Sequence, residues 1–279
     1  MRVKGWIFGV AALALVVCGC DGDGKAARAR LDKACEMYAT NDLFGAKNEI
    51  DSIRALYPKE VDVLRESLSL MREVELREAE RNIAYCDSML PIKEAEAAEL
   101  TKGFTFEKDS VYEEVGNYIW KQQTIERNVQ RCYIRCGVSE KGEMYLASVY
   151  FGGHPISHTG IRLSLKDGQF ATTASIPFDG GLNYRFKDMG NTTEVVTYKG
   201  ENGMEAIKFI YVNQKERIKV EYTGGKPYVI YIADGDKRAI VATYDLATVL
   251  SDVENMRTLK AKSEKKIAYL KAKLTNDGE

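Results

Sequence analysis

From residue 26 onward the apolar positions recur at helical spacing. Ala27, Leu31, Ala34, Cys35 and Tyr38 share one face, and Thr40-Asn41-Asp42 supplies a turn with capping side chains. Ala46, Ile50, Ile53 and Leu56 line a second helix that stops at Tyr57-Pro58, so the two make an antiparallel hairpin. A long helix follows over 59–90. Its stripe, Val61, Leu64, Leu68 and Met71, slips by one residue to Leu76, Ala79, Ile83, Cys86 and Leu90, as in a coiled-coil-like seam that changes neighbour. Pro91 bends or restarts this helix, and Gly103 caps it.

At Phe104 the period changes to two. Turn signals recur at the spacing of an antiparallel meander, among them Lys166-Asp167-Gly168, Asp179-Gly180-Gly181, Gly200-Glu201-Asn202-Gly203, Asn213-Gln214-Lys215 and Asp234-Gly235-Asp236. Between them the strands alternate: Ile161, Leu163 and Leu165; Leu182, Tyr184 and Phe186; Ile218, Val220 and Tyr222. One face of the sheet is expected to be buried and the other wet. About ten strands exceed a comfortable flat sheet, which predicts a barrel or a sandwich. After Tyr244 the helical period returns with Leu246, Val249, Val253 and Met256, then Ile267, Leu270 and Leu274. This polar helix needs a partner, and the 59–90 helix is the natural one.

The fold class is therefore α+β. A helical hairpin and long helix occupy 26–103, an antiparallel β-domain 104–244, and a C-terminal helix 245–279 that packs back on the N-terminal helices. The hairpin also resembles a single tetratricopeptide unit at Ala46 and Pro58. The signature tryptophan and helix-A glycine are missing and no second copy follows, so it reads as an isolated hairpin.

The first twenty residues follow another rule. Arg2 and Lys4 precede an apolar run over 6–17, and Val17-Cys18-Gly19-Cys20 closes it ahead of a polar stretch. This is the order of an export signal. The run makes roughly 18 Å of helix against a hydrocarbon core about 30 Å thick, too short for a comfortable span. Val17-Cys18-Gly19-Cys20 resembles the lipobox of bacterial lipoproteins. That resemblance implies a signal peptide over 1–19, diacylglycerol and an amide-linked acyl chain on Cys20, and a lipidated tether over 20–25. It also implies a cell-envelope location on a membrane. Asp21 leaves the choice of membrane to the organism's sorting rule, and the outer membrane is favoured, with the periplasmic or surface face open.

Composition narrows the partners. Counted from Cys20, the chain carries 38 basic and 41 acidic residues, a net charge of −3 that favours neither nucleic acid nor an anionic membrane surface. The Cys132-x3-Cys136 and His154-x3-His158 pairs imitate a zinc pattern, but four residues of strand span roughly 13 Å, too far for one ion or a disulfide. Cys132 and Cys136, which lie within the apparent strand, read as two buried same-face thiols. His154 and His158 lie in Gly152-Gly153-His154-Pro155-Ile156-Ser157-His158 and read as exposed loop histidines, available to a ligand. Cys35 and Cys86 are either bridged or small hydrophobes within their stripes. The sixteen tyrosines alternate with charged residues, as a half-buried sheet requires. No nucleophile elbow, zincin motif or phosphate loop occurs, and no cofactor is implied. The reading is a non-enzymatic, lipid-anchored envelope protein with a structural, assembly or binding role toward a protein partner. The alternatives are a β-barrel carrier of a small lipid or glycan, and an envelope hydrolase without a local signature.

Overall fold

The computed structural model describes residues 20–108 and 114–276; the signal peptide expected over 1–19 lies outside them. Three helices come first: α1 (Cys20–Ala39), α2 (Leu43–Leu56) and α3 (Val61–Thr101). Strands β1 (Phe104–Glu107), β2 (Asn117–Trp120), β3 (Tyr133–Ser139), β4 (Met144–Gly152), β5 (Gly160–Ser164), β6 (Phe170–Thr172), β7 (Asn183–Asp188) and β8 (Asn191–Lys199) follow. The chain continues with α4 (Glu201–Val212), β9 (Lys219–Thr223), β10 (Tyr228–Tyr231) and α5 (Asp234–Asn276). It divides into two compact units: one holds the chain up to Ile83 together with the segment from Lys262, and the other spans Ala84–Ala261.

In the first unit Ala27, Leu31 and Ala34 of α1 pack with Leu43, Ala46, Ile50 and Ile53 of α2 and Val63, Leu70 and Val74 of α3. The hairpin is as the periodicity predicts. Its turn places Asn41 in the left-handed region at φ 65°, and the Asp42 carboxylate accepts the Gly45 N–H at 2.9 Å. Three details differ from expectation. The buried stripe of α3 is Val63, Ser67, Leu70 and Val74, leaving Val61 and Leu68 exposed. Cys35 is exposed and Cys86 buried, and both are free thiols. Residues 21–25 form the start of α1 rather than a tether. Asp23 sits where the helix dipole favours an acid, which offsets part of the weak helix propensity of Gly22 and Gly24. The α5 end bears Leu270 inward, and Lys266 pairs with Glu75 of α3 at 3.0 Å.

The second unit is built on two antiparallel sheets, ordered β1-β2-β3-β4-β8-β7 and β10-β9-β5-β6. The meander has split into two sheets rather than closing into one barrel. Both sheets supply a common core: Ile134, Leu146 and Val196 from the larger, Ile161, Leu163, Val220 and Tyr222 from the smaller. The Tyr222 hydroxyl donates across to the Val149 carbonyl at 2.9 Å. Helices α4 and α5 add Ala206, Ile207, Ile210, Ile240, Leu246 and Leu250 to that core. Here α5 also runs against α3, with Arg257–Glu94 and Lys260–Asp87 pairs at 2.5 Å. The C-terminal helix thus packs on the long N-terminal helix and on the strands, as its stripe requires.

Two segments expected within the meander are helical. Residues 201–212 form α4, because Gly203, Ala206, Ile207 and Ile210 recur at helical spacing and point inward. Gly200, at φ 55°, and Asn213 are its caps, not hairpin turns. Likewise Asp234-Gly235-Asp236 is the first turn of α5, where two acids suit the helix N-terminus.

Candidate functional site

Strand parity decides what each face of the larger sheet presents. Ile134, Cys136 and Val138 of β3, Leu146 and Tyr150 of β4, and Val196 and Tyr198 of β8 point into the core. The intervening residues therefore point the other way. The pairing register sets them in rows. Tyr133 lies opposite Val149, Val149 opposite Val195, and Val195 opposite Tyr184, so one apolar row crosses four strands. Beside it Phe151 faces Thr193 and Thr193 faces Phe186. Tyr133, Ala147, Val149 and Val195 form a second buried cluster there, separate from the main core.

This outer face carries an open groove of about 190 Å³. Tyr133, Val149, Val195 and Tyr184 form its floor, and Ile125, Val129, Phe186 and Met189 stand around it. These four rim residues are 56%, 64%, 50% and 91% exposed, an unusual concentration of apolar surface in one place. Met189 occupies the two-residue turn joining β7 to β8, at φ 46° with Gly190 at 82°. That geometry ordinarily selects Asn or Gly; here a long apolar side chain is held at the tip. Two cations complete the site. Arg131 stacks 4.6 Å over the Tyr133 ring while pairing with Asp236, whose carboxyl burial pushes above the usual carboxylate range despite that pair. Arg135 lines the floor with its Nε buried and without a hydrogen-bond partner among the described residues. A carbonyl or carboxylate entering the groove would satisfy it.

The sequence face Leu182, Tyr184 and Phe186 was expected to be buried. The structure turns β7 the other way: Asn183 is buried, donating to the His158 carbonyl at 3.2 Å, and the aromatic residues line the open groove. The signal for an apolar outer face was present in the sequence. In β4 and β8 the runs Leu146-Ala147, Val149-Tyr150-Phe151 and Val195-Val196 are apolar at consecutive positions, hence on both faces.

The inner face holds a chain of polar groups that sequence reasoning missed. His158 is buried rather than exposed, because Ile156 and His158 turn inward from a loop that is otherwise at the surface, and the imidazole lies 4.9 Å from the Tyr222 ring. Its Nδ1 lies 2.8 Å from Glu194 and its Nε2 2.9 Å from the Ser148 hydroxyl, which in turn lies 2.9 Å from the Tyr198 hydroxyl. Glu194 also accepts the Ser157 and His158 backbone N–H groups at 2.8 and 3.1 Å. Burial pushes the His158 imidazole below its ordinary value. Burial also pushes Glu194 up, but those three donors outweigh it and hold the carboxyl below its usual range. The consistent assignment is a neutral His158 donating to ionised Glu194 and accepting from Ser148, with Tyr198 donating to Ser148. Ser148 and Glu194 could have been noticed as polar residues at inward positions, between Leu146 and Tyr150 and ahead of Val196.

Serine, histidine and glutamate in this order copy the connectivity of a hydrolytic triad. The site lacks the rest. Ser148 is fully buried within a ladder, His158 and Glu194 are 1% and 2% exposed, and none of the three lines the groove or any other described cavity. The Ser148 hydroxyl is buried, and the hydrogen bonds tie Ser157 and His158 of the loop to β4 and β8.

The remaining candidates are apart. His154 is exposed, and its carbonyl accepts from Tyr150 at 2.9 Å. Cys132 contacts the Phe151 carbonyl and the Tyr228 hydroxyl; Cys136 contacts Gln123 and Thr243. Burial pushes the Cys136 thiol up to about 12, which keeps it protonated. The side chain of Cys20 lies outside the described residues. A larger depression of about 740 Å³ at the β3–β4 turn is lined by Glu114, Lys141, Glu143 and Lys199 among others. No helix among the described residues is long and apolar enough to cross a membrane.

No family model matches the chain, and neither the curated proteins nor the solved structures offer a match.

Proposed function

We propose that this chain is a non-enzymatic, lipid-anchored protein of the cell envelope, on the outer membrane, that binds a protein partner through the outer face of its larger sheet. The anchor is Cys20, acylated after removal of the export signal. More than one acyl chain meets the requirement for stable attachment, and no membrane-spanning helix is then needed. The observation that carries the binding role is the open apolar groove between Tyr133, Val149, Val195 and Tyr184, rimmed by exposed Ile125, Val129, Phe186 and Met189. Exposed apolar surface of this kind is costly to keep in water and is a mark of interaction sites.

The carrier and hydrolase readings find less support. At about 190 Å³ the apolar groove falls below the roughly 300–1,000 Å³ of small-molecule sites, and the depression of about 740 Å³, which lies within that range, is lined mainly by charged and polar residues such as Glu114, Asn117, Lys141, Glu143 and Lys199 rather than by an apolar wall. The acyl-transfer-like constellation among the described residues is buried. A photo-crosslinking residue at Tyr184 of the full-length protein, activated in native membranes, should yield a discrete adduct that Val195→Arg abolishes. The same residue at exposed Lys208 on α4 should yield none. Equal adducts from both positions, or none from Tyr184, would overturn the proposal.

A further inference from the structure

Strand β7 ends the larger sheet, bonded to β8 on one side only. Its outward backbone groups follow from the register. The Thr197 N–H donates to the Leu182 carbonyl at 2.7 Å, so residues of even number in β7 exchange hydrogen bonds with β8. Those of odd number, Asn183, Arg185 and Lys187, turn their N–H and C=O groups to the free edge. Asn183 is already occupied: its carbonyl accepts the Asp179 and Gly180 N–H groups, and its N–H donates to the Asp179 carboxylate. Arg185 and Lys187 each retain one N–H and one C=O with no backbone partner among the described residues.

The side chains of β7 divide by face. Tyr184 and Phe186 line the groove, while Arg185 and Lys187 stand on the opposite face, both exposed. Arg185 donates to the Ser157 hydroxyl at 2.9 Å and lies 5.0 Å over the Phe178 ring; neither cation pairs with a carboxylate among the described residues. Arg185 lies opposite Glu194, but that carboxylate is committed to His158 and Ser157.

We propose that β7 is a docking edge for an extended protein segment in which apolar residues alternate with acidic ones. The inference rests on the outer sheet face being the binding surface and names the form of the partner there. Added antiparallel, such a segment bonds to the main chain at Arg185 and Lys187. Its residues opposite Tyr184 and Phe186 then extend the apolar groove, and those opposite Arg185 and Lys187 meet two unpaired cations. The same cations guard the edge against basic strands, so charge selects the partner.

The test uses the purified full-length chain and short peptides alternating valine with glutamate, valine with lysine, or scrambled. The glutamate peptide should bind roughly tenfold more tightly than the lysine peptide, as two cross-strand charge pairs allow. It should slow amide exchange at Arg185 and Lys187, and methylation of the peptide nitrogens facing them should abolish binding. Arg185→Glu together with Lys187→Glu should reverse the charge preference; because Glu at 185 faces Glu194, Lys187→Glu alone, which should weaken the preference with the thermal midpoint little changed, separates lost charge from lost stability. Binding without β7 protection, or without charge preference, would overturn the inference, as would protection that grows with protein concentration alone, which would make the occupant a second copy. A Tyr184 adduct in membranes with no peptide protection of β7 defeats this inference and leaves the broader reading standing. Peptide protection without such an adduct does the reverse.

Discussion

Glu194→Ala removes the acceptor at the centre of the buried polar chain. Three donors lose their partner: the Ser157 N–H, the His158 N–H and His158 Nδ1–H, at 2.8, 3.1 and 2.8 Å. Each buried donor left unmade costs about 1–3 kcal/mol, and water entering the vacated volume recovers part of that, so a net loss of about 4 kcal/mol is expected. Against a typical total of about 5–15 kcal/mol this brings the β-unit close to unfolding. Glu194→Gln keeps the shape and one acceptor oxygen, and should cost about half as much. Ser148→Ala strands the Tyr198 hydroxyl and His158 Nε2 and should cost about 1–3 kcal/mol. Denaturant titration of the three variants, followed by tyrosine fluorescence, gives the ranking Glu194→Ala, then Glu194→Gln and Ser148→Ala. A loss below about 1 kcal/mol for Glu194→Ala would refute the structural role. So would an esterase activity that Ser148→Ala removes with stability unchanged, since it would mean that the hydroxyl is reached by substrate.

Further outcomes follow from other parts of the molecule. His158 has a depressed folded-state pKa, so the unfolded chain binds its proton first on acidification; stability should fall as pH drops below about 6.5, and His158→Gln should flatten that fall in pH-dependent melting curves. Glu194, also depressed, continues the loss below its ordinary range, while Asp236, raised by burial, opposes it there; the window above about pH 5 therefore reports His158 most cleanly. Cys20→Ala should give protein that takes up no acyl label in metabolic labelling, and normal acylation of that variant would move the anchor elsewhere. Cysteines replacing Asp87 and Lys260, an ion pair at 2.5 Å, should crosslink α3 to α5 under mild oxidation; failure to do so would separate these helices.

How much of this was legible beforehand depended on whether a local period decided it. The α1–α2 hairpin, the buried faces of β5 and β9 and the helical return after Tyr244 follow from short-range alternation, and all are present. Segments 201–212 and 234–243 are helical where the turn signals predict a meander, because Gly200, Asn213 and Asp234 serve turns and helix caps equally well, and only tertiary packing chooses between them. The α3 stripe shifted because a helix apolar on several sides gives its core-facing side away only through its neighbours: Val63, Leu70 and Val74 face α1 and α2, while Leu68 does not. The site was hidden for a related reason. Tyr184 and Phe186 look like core residues by alternation, and only the register with Val195 and Thr193 places them on the open face. His158 looked exposed because its partners, Ser148 and Glu194, lie ten and thirty-six residues away.

Met189 provides a probe of the central claim already built into the chain, since it stands 91% exposed at the groove rim. Hydroxyl-radical footprinting of the protein in native membranes, compared with the purified chain, should show Met189 and Phe186 oxidised several-fold more slowly in membranes. Phe44 of α2, 77% exposed and belonging to the other compact unit, should be oxidised equally in both. Equal oxidation of all three residues in the two settings would mean that nothing covers the outer sheet face, and would contradict the account.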